Sequence, residues 1–227
     1  MFHKSLIATA LVASALLAST GIVAAAPTPA FEQAIAGVAH DWARVSYQTP
    51  AAERDAAFTA VIATSQQVVQ SFPGRAEPLI WEAIVLASAA SNEGGLTALH
   101  KAKQSRELLL AAEAINPNAM DGSIYSSLGS LYAKVPGWPI GFGDKKEASK
   151  CFEKAIAIAP NDIDANYFYA DFLADQGQYA RSAEYLNRAL AAPPRPGRED
   201  ADAGRRSDAL ALLESLKQKH GDKIASK

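Results

Sequence analysis

The chain has 227 residues, and 49% of them are hydrophobic, which is enough to bury a core within one domain. A net charge of −2 argues against a nucleic-acid-binding protein, because such proteins present a basic face. The sequence contains one cysteine, Cys151, so no disulfide can form within the chain and packing must stabilise the fold. Cys151 stands beside Phe152 in a helical pattern and is expected to be a buried structural residue.

The first 25 residues have the features of a secretory signal peptide. Lys4 and His3 form a short basic start, an apolar run extends from Leu6 to Leu17, and small residues precede Ala25. We predict cleavage near Ala25. The mature protein would then be a periplasmic or secreted bacterial protein. An uncleaved N-terminal anchor helix is the alternative. No cysteine stands near this position for lipid attachment, and no later segment is apolar enough for membrane insertion of the mature chain.

Residues 26–74 predict an N-terminal helical hairpin. Apolar residues recur at helical spacing from Phe31 to Val45, and a second helix starts after Thr49 with Pro50 in its first turn. The apolar pattern of this hairpin differs from that of the hairpins that follow. Such a difference is expected of the terminal unit in an array of repeats.

Residues 122–162 and 163–197 can be laid over each other as two copies of one helical hairpin. Small residues stand where the two helices of a hairpin approach, and large residues fill the space between hairpins. The first copy contains Tyr125, Leu128, Gly129, Tyr132, Ala148, Phe152, Ala155 and Pro160; the second contains Tyr169, Ala170, Leu173, Gly177, Tyr179, Ala183, Leu186, Ala189 and Pro194. This is the pattern of the tetratricopeptide repeat, a helical hairpin of about 34 residues.

Residues 75–121 predict another such hairpin, and two of the hairpins carry an insertion between their helices. The hairpin at 75–121 has an insertion at 91–100 that contains two glycines, and the hairpin at 122–162 has the run Val-Pro-Gly-Trp-Pro-Ile-Gly-Phe-Gly at 135–143. Turns within consecutive hairpins lie along one edge of an array, so the two insertions should be neighbours. The first helix of 75–121 is matched to the pattern through Trp81, Ile84, Val85 and Ser88.

Residues 198–220 predict a helix that caps the open end of the array, and residues 221–227 predict a flexible tail. The capping helix has an apolar face at Ala203, Leu210, Leu213 and Leu216. The predicted fold is therefore all-α, a right-handed superhelical array of about four tetratricopeptide-like helical hairpins plus a C-terminal capping helix.

No arrangement of residues typical of catalysis is evident, so we expect a protein that is not an enzyme and has no cofactor or metal site. The sequence lacks the metalloprotease motif His-Glu-x-x-His, the hydrolase motif Gly-x-Ser-x-Gly and a phosphate-binding glycine loop. Asp162 and Asp164 are interpreted as the start of a helix, with Asp162 or Asn161 as its cap.

Two surfaces are candidates for binding. The concave groove of such an array is one, and its predicted lining is Ser126, Ser130, Lys134, Tyr167, Asp171 and Asp175. A solvated helix face is the alternative interpretation of these residues. The insertion edge is the other surface, with the apolar side chains of Trp138, Ile140 and Phe142. Its loop either packs over the ends of its own helices or contacts a partner, since loops on rigid scaffolds often carry function.

The run from Val135 to Gly143, the lysine-rich start of the next helix and the ending from Ala155 to Pro160 resemble the exported bacterial proteins of the TRAP-transporter T-component type. The resemblance covers approximately residues 75–215. It implies a periplasmic α-helical repeat protein that assists a substrate-binding protein, with a hydrophobic ligand or pore among its helices. Members of that type are commonly lipid-anchored, whereas this sequence has no cysteine for such an anchor.

Two function classes follow from these features. The first is a scaffold that holds another periplasmic protein through its groove or its loop edge. The second is a carrier of a small hydrophobic ligand, in a cavity between hairpins that Trp138, Ile140 and Phe142 would roof. An outward orientation of these three side chains favours a protein partner. An inward orientation over an apolar cavity favours a ligand.

Overall fold

The computed structural model describes residues 28–225, and within that range the chain is helical and has no strand. The predicted signal peptide and its cleavage site near Ala25 lie outside the described residues, as do residues 226 and 227 of the predicted tail. A 3-10 turn at Ala51–Glu53 precedes the second helix. The helices are α1 Pro29–Tyr47, α2 Arg54–Ser71, α3 Ala76–Asn92, α4 Gly95–Ile115, α5 Ser123–Lys134, α6 Lys145–Ile158, α7 Ile163–Asp175, α8 Tyr179–Ala191 and α9 Glu199–Ala225.

Polar side chains define where several helices begin. The Thr28 hydroxyl accepts a hydrogen bond from the backbone N–H of Phe31 at 3.3 Å and caps α1. Asp144 caps α6 by accepting from the N–H of Lys146 at 2.8 Å, and Asp162 caps α7 in the same way. Each cap satisfies a backbone donor that has no partner within the helix, which stabilises the helix start by about 1 kcal/mol.

Consecutive helices pack as four hairpins, α1 with α2, α3 with α4, α5 with α6, and α7 with α8, and α9 packs on α7 and α8. Over residues 28–225, this confirms the predicted superhelical array of four hairpins with a C-terminal helix. The core lies within and between the hairpins, where apolar side chains such as Ile80, Leu109, Phe152 and Leu186 are fully buried. None of the helices in this range combines the length and apolar character needed to cross a membrane.

A repeated hydrogen bond shows how the hairpins correspond. The Ser182 hydroxyl donates to the carbonyl of Ala170 at 2.7 Å, and the Ser105 hydroxyl donates to the carbonyl of Ala83 at 2.7 Å. Ala83 is therefore the counterpart of Ala170, and the match of α3 to the repeat pattern through Trp81 and Val85 was two residues out of register. Trp81 instead faces α1, where its ring lies 6.0 Å from that of Trp42.

The hairpin of α5 and α6 depends on a glycine. A Cβ on Gly129 would stand 2.8 Å from the ring of Phe152, which is closer than real Cβ atoms approach other atoms. The sequence predicted that Gly129 faces Ala148 and Ala155, and the structure shows the phenyl ring of Phe152 as its nearest neighbour. Glycine at this position therefore lets the large side chain of α6 lie flat against α5.

The first insertion is not the loop that its two glycines predicted. Helix α3 continues to Asn92 and α4 begins at Gly95, so residues 91–100 mostly lengthen the two helices. These helices have 17 and 21 residues, whereas α5 to α8 have 12 to 14. The apolar residues Leu96 and Leu99 fit the helical spacing, and helix formation overrides the weak local preference of glycine.

The last helix is kinked at residue 220, where the capping helix was predicted to end. His220 has non-helical backbone angles and its ring stacks on that of Tyr179 at 3.7 Å, and a further helical segment continues to Ala225. Helix α9 also packs on α1. Gly204 lies so close to the ring of Tyr47 that a Cβ there would collide with it. The helix that was expected to cap an open end therefore joins the last hairpin to the first.

Candidate functional site

The second insertion is a compact loop closed by its own backbone. The N–H of Gly143 donates to the carbonyl of Pro136 at 3.0 Å, and the N–H of Gly141 donates to that of Gly137 at 3.1 Å. A Cβ on Gly141 would collide with the carbonyl of Pro136, and one on Gly143 would collide with that of Val135. Glycine is therefore required at both positions for the backbone to approach itself this closely.

The three apolar side chains of this loop have different environments. Trp138 is 90% exposed and Ile140 is 66% exposed, so both point outward. Phe142 is half-buried, packs edge-on against Tyr132 at 5.8 Å, and lies beneath the guanidinium of Arg106 at 4.2 Å. Phe142 therefore attaches the loop to its own hairpin and to α4, while Trp138 and Ile140 are presented to solvent.

The elongated tip of α3 and α4 lies beside this loop, as expected for insertions in neighbouring hairpins. Leu96, on the first turn of α4, is 84% exposed and borders the same apolar trough as Ile140. The trough has a volume of about 480 Å³, and its walls include Ala87, Ala90, Leu99, Leu131, Val135 and Pro136. We call Leu96, Trp138 and Ile140, together with this trough, the apolar edge.

Three of the predicted groove residues lie together on α5 and α7. The ammonium of Lys134 donates to Asp175 at 2.6 Å and forms an ion pair with Asp171 at 2.8 Å. Partial burial lowers the pKa of Lys134, but hydrogen bonds and charge from the two carboxylates outweigh that effect and raise it. These side chains are largely satisfied by one another, and solvent screens them.

The other three predicted groove residues lie deeper. The hydroxyls of Ser126 and Ser130 donate to the carbonyls of Gly122 and Ser126, at 3.4 and 2.9 Å. The ring of Tyr167 lies under the guanidinium of Arg205 at 4.5 Å, and burial raises the pKa of its hydroxyl. The predicted groove lining is thus divided between an exposed ion-paired group on α5 and α7 and the less exposed side chains of Ser126, Ser130 and Tyr167.

The centre of the array is a cavity of about 520 Å³, which we call the central cavity. Its walls come from the first helices of all four hairpins, from α2 and from α9. Ser126 and Ser130 line it, together with aromatic side chains from α1 and α2. Helix α9 packs on α1 and so closes one side of the cavity. That side would be open in an array without this helix.

A cluster of buried ions joins α7 to the C-terminal segment. The Nε of Arg205 donates to Asp164 at 2.7 Å, and Arg195 donates to Asp164 at 2.8 Å and to Asp202 at 2.6 Å. Burial opposes the ionisation of Asp164, but the three nearby guanidinium groups, of Arg205, Arg195 and Arg198, outweigh it and hold the pKa of Asp164 well below its usual range. We call this group the ion cluster.

Sequence reasoning did not find the ion cluster. Asp162 is a helix cap, as predicted, but Asp164 was assigned only to the helix start. Its partners are 31 and 41 residues away in the chain, at Arg195 and Arg205. A mixed run of acidic and basic residues after Arg195 was the one signal, and it is equally typical of a solvated helix face.

Residues 140–198 match the family model of the tetratricopeptide repeat. That segment of the chain is similar to the tetratricopeptide repeat. The match spans α6, α7 and α8, which are the second helix of one hairpin and both helices of the next.

Among solved structures, the chain is similar to a thermophilic tetratricopeptide-repeat protein from Thermus thermophilus, with 17% sequence identity and a TM-score of 0.40. That similarity covers 77% of this chain and 100% of the other. No curated protein matches the chain.

Proposed function

We propose that this protein is a non-enzymatic tetratricopeptide-repeat scaffold that binds another exported protein through its apolar edge. The repeats support an interaction role, since each hairpin adds rigid surface to an extended array. The sequence of the first 25 residues supports action in the periplasm. The resemblance to exported transporter-associated proteins supports a solute-binding protein of a transport system as the partner.

The single observation that carries the proposal is the exposure of Trp138 on a loop held in one conformation. Leu96 and Ile140 are exposed and border one trough, and Trp138 is exposed on the same loop as Ile140. Contiguous exposed apolar surface is typical of interaction sites, and tryptophan is among the residues that contribute most to protein interfaces. The glycine-dependent loop orders its backbone before binding, so little conformational entropy is lost in the complex.

The orientation of the loop distinguishes this proposal from a carrier of a hydrophobic ligand. A carrier requires Trp138, Ile140 and Phe142 to turn inward as the roof of a cavity. Trp138 is almost fully exposed, and Phe142 packs on Tyr132. The trough, which Leu96 and Ile140 border, therefore suits an apolar side chain inserted from a partner protein.

The proposal is tested by site-specific photocrosslinking in the native cell, with benzoylphenylalanine placed at Trp138 or, as control, at Leu110. Leu110 is an exposed apolar residue of α4 outside the trough. We expect a crosslinked band at position 138 alone, containing an exported solute-binding protein. Fractionation of the same cells reports whether the protein is periplasmic. Equal crosslinking at both positions, or none at 138, would contradict the apolar edge as the binding surface.

The identified partner is then purified and titrated with Trp138→Ala and Leu110→Ala. Truncation of a central tryptophan commonly lowers affinity by about 2 kcal/mol or more, or about 30-fold. We expect such a loss for Trp138→Ala and no change for Leu110→Ala.

A further inference from the structure

The central cavity has features of a small-molecule site, and it adjoins the trough of the apolar edge, with which it shares Ala87, Ser91 and Ser130. Its volume of about 520 Å³ lies within the range of about 300–1,000 Å³ that is usual for ligand pockets. Trp42 and Phe58 provide an apolar part of its wall, and both are buried. The remaining wall is unusually rich in hydroxyl groups, with seven serines from α1, α3 and α5.

Arg54, which lines this cavity, has no acidic partner within residues 28–225. Arg205 and Arg198 each form an ion pair with Asp164, at 2.7 and 3.9 Å. Arg54 is half-buried, and its Nε donates to the carbonyl of Thr49 at 2.9 Å. In the part of the chain that the structure describes, no carboxylate lies within ion-pair distance of its guanidinium. The Nη donors of Arg54 therefore have the fork geometry that binds a carboxylate through two hydrogen bonds.

The serines can both accept and donate hydrogen bonds. Ser126 and Ser130 use their protons on carbonyls of their own helix, so their oxygens remain acceptors. Ser88 accepts from the indole N–H of Trp42 at 2.8 Å and keeps its own proton as a donor. The Ser46 hydroxyl is buried and has no hydrogen-bond partner among the described residues. An unpaired buried hydroxyl is costly, and a ligand hydroxyl would satisfy it.

We propose that the central cavity binds a small hydroxylated carboxylate. Its carboxylate pairs with the Nη donors of Arg54, its hydroxyls exchange hydrogen bonds with Ser46 and Ser88, and its carbon chain lies against Trp42. Arg54 lines the central cavity and not the trough of the apolar edge, so variants of Arg54 and of Trp138 test the two proposals separately.

The experiment is a calorimetric titration of the full-length protein with three probes of similar length. D-gluconate carries hydroxyls and a carboxylate, sorbitol carries hydroxyls alone, and hexanoate carries a carboxylate alone. We expect saturable binding of gluconate with a Kd of about 0.1–1 mM, and at least about tenfold weaker binding of each of the others. Equal binding of sorbitol would overturn the role of Arg54, and equal binding of hexanoate would overturn the role of the hydroxyls. Absence of saturable gluconate binding would overturn the site.

Variants assign the binding to the cavity. Arg54→Met should weaken gluconate binding at least about tenfold, because it removes a charged pair of donors. Arg44→Met is the matched control, since Arg44 is an exposed residue of α1 outside the cavity and pairs with Asp41. Thermal melts followed by circular dichroism establish that each variant is folded. Unchanged affinity in Arg54→Met, or equal loss in both variants, would overturn the assignment.

Should Arg54→Met fail to fold, Ser46→Ala provides the second test. Ser46 lines the cavity from α1, and alanine removes its unpaired hydroxyl. The expected result is a several-fold loss of gluconate affinity with a melting curve close to that of the wild type. Unchanged affinity in this variant would contradict recognition by the serines.

Discussion

At the apolar edge Trp138 is 90% exposed, whereas in the ion cluster the side chain of Arg205 is only 8% exposed. Both regions reverse the usual placement of apolar and charged side chains, and they do so on the same repeat scaffold. The ion cluster places its charges inside the molecule, where they hold α9 against α7. Trp138 and Ile140 of the apolar edge have no comparable internal role, since their side chains are exposed, whereas Val135 and Phe142 of the same loop pack on the scaffold. The buried charges of the ion cluster therefore stabilise the fold, and the exposed apolar side chains of the apolar edge are available to a partner.

Asp164→Ala should break the ion cluster and give the largest loss of stability. Removal of this carboxylate leaves the buried Arg205 and the partly buried Arg195 with less compensation, and breaking a buried ion pair typically costs about 3–5 kcal/mol. Asp175→Ala is the matched control, because its pair with Lys134 is exposed and is worth roughly 0–1 kcal/mol. Guanidinium chloride denaturation measures both values, and a loss below that of the control would contradict a stabilising role for the cluster.

Acid should weaken the same cluster. The pKa of Asp164 is lower in the folded protein than in the unfolded chain, so its ionisation stabilises the fold above about pH 4, the ordinary pKa of aspartate. This contribution is lost as pH falls through the lower pKa of the folded state. We therefore expect the stability difference between the wild type and Asp164→Asn, measured with urea, to shrink between about pH 5 and pH 2. A difference that stays constant over this range would show that the charge of Asp164 is unimportant.

Gly143→Ala should distort the apolar edge without touching the ion cluster. A Cβ at this position collides with the carbonyl of Val135, and relief of the collision requires the loop backbone to shift. Overpacking of this kind costs about 1–3 kcal/mol. Gly94→Ala, at the neighbouring turn, is the control, because a Cβ there meets no atom within 4 Å. Chemical denaturation compares the two, and equal stability would mean that the loop is less constrained than its contacts indicate.

Trp138→Ala should have the smallest effect on stability and still abolish most partner binding. The side chain is almost fully exposed, and surface substitutions usually change the free energy of unfolding by less than about 0.5 kcal/mol. Circular dichroism should show unchanged helix content and a nearly unchanged melting temperature. A large loss of helicity or thermal stability would show that the loop is structural and would remove the basis for the proposed interaction site.

The repeat fold could be predicted from the sequence because its rules are local. Gly129, Ala148 and Ala155 recur at spacings that a single hairpin imposes, and the prolines and glycines of residues 135–143 forbid helix. The register of α3 was missed because Trp81 imitates the aromatic residue of the pattern. Its side chain faces α1, and the sequence carries no sign of that choice of neighbour.

The binding surfaces could be predicted only in part. Trp138 and Ile140 were recognisable as apolar residues in a loop that cannot be helical. Their exposure depends on the path of the loop backbone, which the close contacts at Gly141 and Gly143 determine. Asp164 looked like a helix-start residue because its charge partners come from a distant segment. The central cavity depends on the curvature of the whole array, which hydrophobic periodicity does not encode.

The contact of Tyr47 with Gly204 has a consequence for how this protein can change over evolution. An open solenoid lengthens by duplication of a unit, since each repeat touches only its neighbours. Here the first helix touches the last, so the number of hairpins determines the gap that α9 bridges. A duplicated hairpin would carry α1 away from α9 and open the central cavity. The number of hairpins is therefore constrained in this array, much as the number of strands is in a closed barrel. The sequence of the exposed surface can still change.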